Sequence, residues 1–110
     1  MLKLTPAEQQ WLSEYRQTLT EQFPGIIEQL TIFGSKARGE ATEDSDLDVL
    51  IIIREGDWKL KEAIARPGHL AAVGTDVVPS FIVYTVNEWE QRRQAETPLW
   101  QTVMRDGVAV

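Results

Sequence analysis

The stretch Leu47 to Ile53 limits this chain's fold more than any other segment. It reads Leu-Asp-Val-Leu-Ile-Ile-Ile and follows Ser45-Asp46 directly. Branched side chains favour extended backbone. Alternation then sends Leu47, Val49, Ile51 and Ile53 to one face, and Asp46, Asp48, Leu50 and Ile52 to the other. Beyond Asp48 both faces are apolar. The segment is therefore expected to be a central strand, covered on both sides, with two carboxylates at one end.

The rest of the chain supplies the covering. Thr5-Pro6-Ala7-Glu8 has the pattern of a helix start, with Thr5 as cap, Pro6 at the first helical position and Glu8 closing a capping box. The row Ala7, Trp11, Tyr15, Leu19, Phe23 gives that helix one apolar face, and Pro24-Gly25 ends it. Leu30 to Phe33 is expected as a short strand, broken by Gly34, with Ser35 to Arg38 opening a short helix. Gly56-Asp57 leads into a helix carrying Trp58, Leu60, Ala63 and Ile64, expected to be interrupted at Pro67-Gly68. Asp76 to Tyr84 is expected as a further strand, with Pro79 marking an edge or a bulge. Thr85 to Glu88 repeats the capping box, and Thr97-Pro98 starts a last helix with Leu99, Trp100, Val103 and Met104 on its apolar side. Val108 to Val110 ends the chain as a strand. The order predicts one α/β (α+β) domain over residues 1–110: a small mixed sheet flanked by helices.

Composition narrows the function. There is no cysteine, which excludes disulfides, zinc–thiolate sites and thiol nucleophiles. The net charge of −6 argues against direct nucleic-acid binding, which needs cations to neutralise phosphates. The longest apolar stretch, Val49 to Ile53, is far too short to span a bilayer, and no secretory leader is evident. A cytoplasmic protein away from membranes is the expectation.

Two segments carry chemistry. Asp46 and Asp48 lie two residues apart on a strand, roughly 6.5 Å along the chain, and project from one face. Such a pair suits a hard divalent ion, which binds through one or two carboxylates together with substrate phosphates. Before them, a strand runs into Gly34 and Ser35. Glycine lets backbone approach a ligand closely, and the Ser35 hydroxyl adds a donor. Lys36 and Arg38 bring positive charge, Arg38 as a planar fork matched to phosphate oxygens. Phosphate donors beside metal-binding carboxylates make a complementary site for a nucleoside triphosphate.

The string GSKARGEATEDSDLDVLI places ten residues between Gly-Ser and Asp-x-Asp. It resembles the minimal nucleotidyltransferase branch of the polymerase-β-like nucleotidyltransferase superfamily. Gly34, Ser35, Ala37, Arg38, Gly39, Ala41, Ser45, Asp46 and Asp48 fit that branch's pattern. The resemblance implies the polymerase-β-like fold and transfer of a nucleoside monophosphate, AMP from ATP being the leading case, to an acceptor hydroxyl. It implies phosphate binding by Gly34, Ser35, Lys36 and Arg38. It also implies two Mg²⁺ ions held by Asp46, Asp48 and a third carboxylate on a later strand. Asp76 is the candidate for that third acid, and Asp46, Asp48 and Asp76 are the expected catalytic residues. Glu55, Asp57 and Glu88 are weaker candidates, since Asp57 and Glu88 have capping roles. His69, without a paired ligand, reads as a surface residue. Trp11, Trp58, Trp89 and Trp100 read as packing residues, and Arg92-Arg93 as a solvated helix face.

A chain this short leaves little room for an acceptor-binding domain. The resemblance therefore implies an antitoxin-like protein acting on a small helical HEPN-type partner. The alternative is a non-catalytic binding module that neutralises or scaffolds its partner by contact. Modification of a small molecule is a third reading, disfavoured because no second substrate domain is visible.

Overall fold

The computed structural model describes residues 1–40 and 45–110; Ala41 of the motif lies outside the described residues. The elements run α1 (Pro6–Gln22), β1 (Ile27–Phe33), α2 (Ser35–Arg38), β2 (Leu47–Ile53), α3 (Trp58–Ala72), β3 (Pro79–Thr85), α4 (Val86–Ala95), α5 (Pro98–Asp106) and β4 (Val108–Ala109). This is the expected order. Both capping boxes form: the Glu8 amide donates to Thr5 Oγ1 at 3.1 Å and the Thr5 amide to Glu8 Oε1 at 2.9 Å. Thr85 and Glu88 repeat the pair. Among the described residues no helix is long and apolar enough to cross a membrane.

The four strands form one mixed sheet in the order β3-β2-β1-β4. β2 is internal, antiparallel to β1 and parallel to β3. Its two faces are filled as the alternation requires. Leu47, Val49, Ile51 and Ile53 join Trp11, Tyr15 and Leu19 of α1 and Ile64 of α3. Leu50 and Ile52 join Phe33 and Val103, with Ile82, Tyr84, Trp89 and Leu99 packed around them. The sheet is thus sandwiched between α1 and α3 on one side and α4 and α5 on the other.

Of the boundaries that differ from the sequence reading, three have a clear physical cause. β1 starts at Ile27, three residues earlier than expected, because its pairing follows β2 to the far end, Ile27 opposite Ile53. β3 starts at Pro79 rather than Asp76; proline has no amide to donate and fits the first residue of an edge strand. α3 is not interrupted at Pro67 but continues to Ala72. Proline removes the donor to the Ala63 carbonyl. Ala63 is exposed, so that carbonyl is not trapped in the core. On the buried side α1 holds the helix across the break: the Tyr15 hydroxyl donates to the Ile64 carbonyl at 2.7 Å and Trp11 Nε1 to the Gly68 carbonyl at 2.8 Å. Gly68 allows this close packing, since a Cβ there would overlap the Phe81 ring.

Candidate nucleotide and metal site

The site forms where β1 leaves the sheet beside the start of β2. Phe33 pairs with Asp48, so the next residue, Gly34, turns at the level of that carboxylate. Gly34 has φ 75° and ψ −155°, a region essentially reserved for glycine. A Cβ at Gly34 would overlap Asp48 Oδ2. The backbone then winds through α2 and closes on Gly39, left-handed at φ 76° and ψ 20°. Amides of Arg38 and Glu40 donate back to the carbonyls of Gly34 and Ser35 at 3.2 and 3.0 Å. With four residues, α2 contributes a tight turn rather than a helix dipole.

Asp46 lies just ahead of β2 and is exposed; Asp48 lies within it and is half-buried. Every other described acid that is not exposed (Glu8, Glu88, Glu90 and Asp106) has a cationic partner. Asp48 has none. Burial, and then the charge of Asp46, push its carboxyl above the usual carboxylate range, and the Arg38 charge opposes them. A divalent cation would relieve both effects, and two hard carboxylate donors two residues apart are ligands of the kind Mg²⁺ takes. The donor set therefore fits the ion.

The cations near the loop are already engaged. Lys36 is buried, with Nζ 3.2 Å from Glu8 Oε2, and both side chains are only 6% exposed. Glu8 is thus shared between the α1 cap and α2. Arg38 pairs with Glu40 at 3.1 Å and with Asp106 at 3.4 Å. Arg105 reaches the same Asp106 oxygen at 3.0 Å. Ser35 is half-buried at the start of α2.

Asp76 is exposed in the turn before β3. It lines a cleft of about 780 Å³ together with Glu8, Lys36, Ser45 and Val78. Among the described residues no three acids or histidines gather closely enough to hold a metal. The neighbour that the sheet does bring to Asp48 is Ser80, its register partner on β3. Sequence reading passed over Ser80, Glu8 as an ion-pair partner, and Asp106, because each is placed by contacts with residues distant along the chain. His69 is exposed and edge-on to Phe81, and Trp58 is exposed at 67%. Arg92 lies over the Tyr84 ring and Arg93 pairs with Glu90.

Comparison with known proteins identifies the family and the fold. Residues 12–97 match the nucleotidyltransferase domain family. A provisionally assigned protein adenylyltransferase of Methanocaldococcus jannaschii, MJ0141, is 30% identical over 74 residues, 66% of this chain and 75% of that protein. A second from the same organism, MJ0604, is 40% identical over 45 residues, 41% of this chain and 45% of the relative. The fold is shared with a provisionally assigned nucleotidyltransferase from Sulfolobus solfataricus: TM-score 0.57, 20% identity, covering 99% of this chain and 89% of that one. It is shared also with a variant of the MntA–HpeT toxin–antitoxin pair: TM-score 0.58, 21% identity, 90% and 70% covered. A toxin–antitoxin structure with AMP-PNP gives a TM-score of 0.57 at 20% identity, 91% and 69% covered. By the extent of the sequence match and by its mixed sheet, the chain belongs to the nucleotidyltransferase domain family, with the polymerase-β-like fold.

Proposed function

We propose that this domain transfers AMP from Mg²⁺-bound ATP to a hydroxyl on a partner protein, as the antitoxin-like member of a pair with a small helical HEPN-type protein. The observation that carries this is the contact between the Gly34 backbone and the Asp48 carboxylate. It joins a glycine loop able to receive phosphates to a carboxylate pair able to receive a cation. The names of the M. jannaschii relatives support a protein acceptor. The toxin–antitoxin neighbours support a paired partner. A domain that consumes ATP and acts on such a partner belongs in the cytoplasm.

In this reading Asp46 and Asp48 hold the metal, and Gly34 and Ser35 receive the triphosphate. Arg38, already close enough to influence Asp48, exchanges an acidic partner for phosphate oxygens. Lys36 adds positive charge beside the loop while Glu8 fixes its position. Bound Mg²⁺ neutralises charge on the phosphates. The acceptor oxygen bonds to the α-phosphorus, the bond to pyrophosphate breaks, and the hydroxyl proton leaves to a base. Asp76, which lines a cleft together with Ser45, is assigned that base. General-base catalysis contributes about 10²–10⁴-fold, so Asp76→Ala is expected to lower transfer by at least about a hundredfold while nucleotide affinity stays the same.

The test is incubation of the chain with α-labelled ATP, Mg²⁺ and the product of the neighbouring gene. Label is expected on the partner, and lost with Asp46→Ala or Asp48→Ala. No label with wild type, together with unchanged ATP and metal binding by Asp46→Ala, would sink the proposal. The lack of a three-acid cluster among the described residues favours a second reading, a contact-only binding module. It wins if the Asp46→Ala/Asp48→Ala double variant still inhibits the partner fully.

A further inference from the structure

The parallel register between β2 and β3 identifies a side chain of this site that has no charge. It sets Ser80 beside Asp48, Ile82 beside Leu50 and Tyr84 beside Ile52. Residues in register on neighbouring strands project to the same face, with the strands about 4.8 Å apart. Packing confirms the face independently: Leu50, Ile52, Ile82 and Tyr84 share one apolar cluster. Ser80 and Asp48 therefore continue that row to its open end. Ser80 is half-buried, and its hydroxyl makes no hydrogen bond to another described residue. An unpartnered hydroxyl thus stands next to an unpartnered carboxylate.

We infer that Ser80 is the third side chain of the metal–nucleotide site and that it limits the site to one divalent ion. This rests on the nucleotide reading given above. Two ions about 4 Å apart are stabilised by a shared set of anionic ligands. The strand position able to supply a further charge beside Asp48 carries a neutral hydroxyl instead. Asp76 does not replace it, since it lies in the turn before Pro79 and lines the cleft with Glu8 and Lys36. Asp46 and Asp48 with the triphosphate satisfy one ion. The Ser80 hydroxyl donates to a phosphate oxygen or to a water of that ion and orients it.

The test uses the full chain with a non-hydrolysable ATP analogue and counts bound Mn²⁺ by electron paramagnetic resonance and calorimetry. Wild type is expected to bind one ion per chain–nucleotide complex. Ser80→Asp is expected to bind two, and to gain more thermal stability from Mn²⁺ than wild type does. Ser80→Ala is expected to keep one ion but bind the ion–nucleotide pair about three- to tenfold more weakly, the range of one lost hydrogen bond. Two ions on wild type overturn the inference, and loss of one of them in Asp76→Ala would name the acid responsible. One ion on wild type with Ser80→Asp unchanged in count and stability also overturns it, leaving the nucleotide site intact. If wild type binds no ion with the analogue, the nucleotide reading falls as well.

Discussion

Gly34 and Asp48 occupy adjoining space so closely that no side chain fits between them: a Cβ on Gly34 would overlap Asp48 Oδ2. Gly34 follows the last residue of β1 and Asp48 is the second residue of the central strand, and the antiparallel pairing of Phe33 with Asp48 brings the two together. The Gly34 loop and the Asp48 carboxylate are therefore a single mechanical unit.

Gly34→Ala should damage the site and the fold together. The backbone region costs of order 1–3 kcal/mol for a residue with a Cβ, and the Asp48 carboxylate must move as well. We expect a lower melting temperature and at least a tenfold loss of Mn²⁺–nucleotide affinity. Gly39→Ala is the control: it too has positive φ, and its Cβ would approach a backbone oxygen, but it does not touch Asp48. It should lose stability without a comparable loss of affinity. Wild-type affinity in folded Gly34→Ala would break the link between loop and carboxylate.

Removing one half of the buried Lys36–Glu8 pair should be costly. Lys36→Ala leaves Glu8 charged and buried, a defect worth about 3–5 kcal/mol. Glu8→Gln/Lys36→Met removes both charges, and Gln can still serve the capping box. Chemical denaturation should show the double variant well above Lys36→Ala in stability. Equal stabilities would mean the pair is not energetically coupled.

At Gly68, alanine is a better helix former but a worse fit. Its Cβ would overlap the Phe81 ring and lie 3.1 Å from Tyr15 Cε1. Phe81 cannot yield easily, since it packs against Trp11, Tyr15 and His69. Overpacking costs about 1–3 kcal/mol, which exceeds the helix gain of up to about 1 kcal/mol. Gly68→Ala should therefore melt lower than wild type. In a Phe81→Ala background the same change should be neutral or stabilising.

Acid should loosen the contact between α3 and α4. The Lys61 hydrogen bond, followed by the Thr85 amide, holds the Glu88 carboxyl below its ordinary value of 4.5. A carboxyl with a depressed folded-state pKa contributes stability that is present above 4.5 and lost as pH falls through the folded value. Thermal melts from pH 6 to 3 should show a steeper acid decline for wild type than for Glu88→Gln. Glu88 is about a third exposed, so the difference should be small. Superimposable profiles would remove Glu88 from the acid response.

What the sequence determined by itself is local. Thr5 with Glu8 and Thr85 with Glu88 announced two helix starts because a capping box closes within four residues. The alternation in β2 announced a two-sided central strand with Asp48 near its start, since side-chain direction follows from backbone period alone. Gly34-Ser35 and Asp-x-Asp were legible for the same reason. Tertiary structure decided everything that needs a distant partner. α3 passes through Pro67 because Tyr15 and Trp11 grip it on both sides. β3 waits until Pro79 because its register is set by β2. Lys36 faces Glu8 and Arg38 faces Asp106 because helices far apart in sequence meet there. Ser80 stands beside Asp48 only because two strands separated by a helix run parallel, a register that no spacing within either strand encodes.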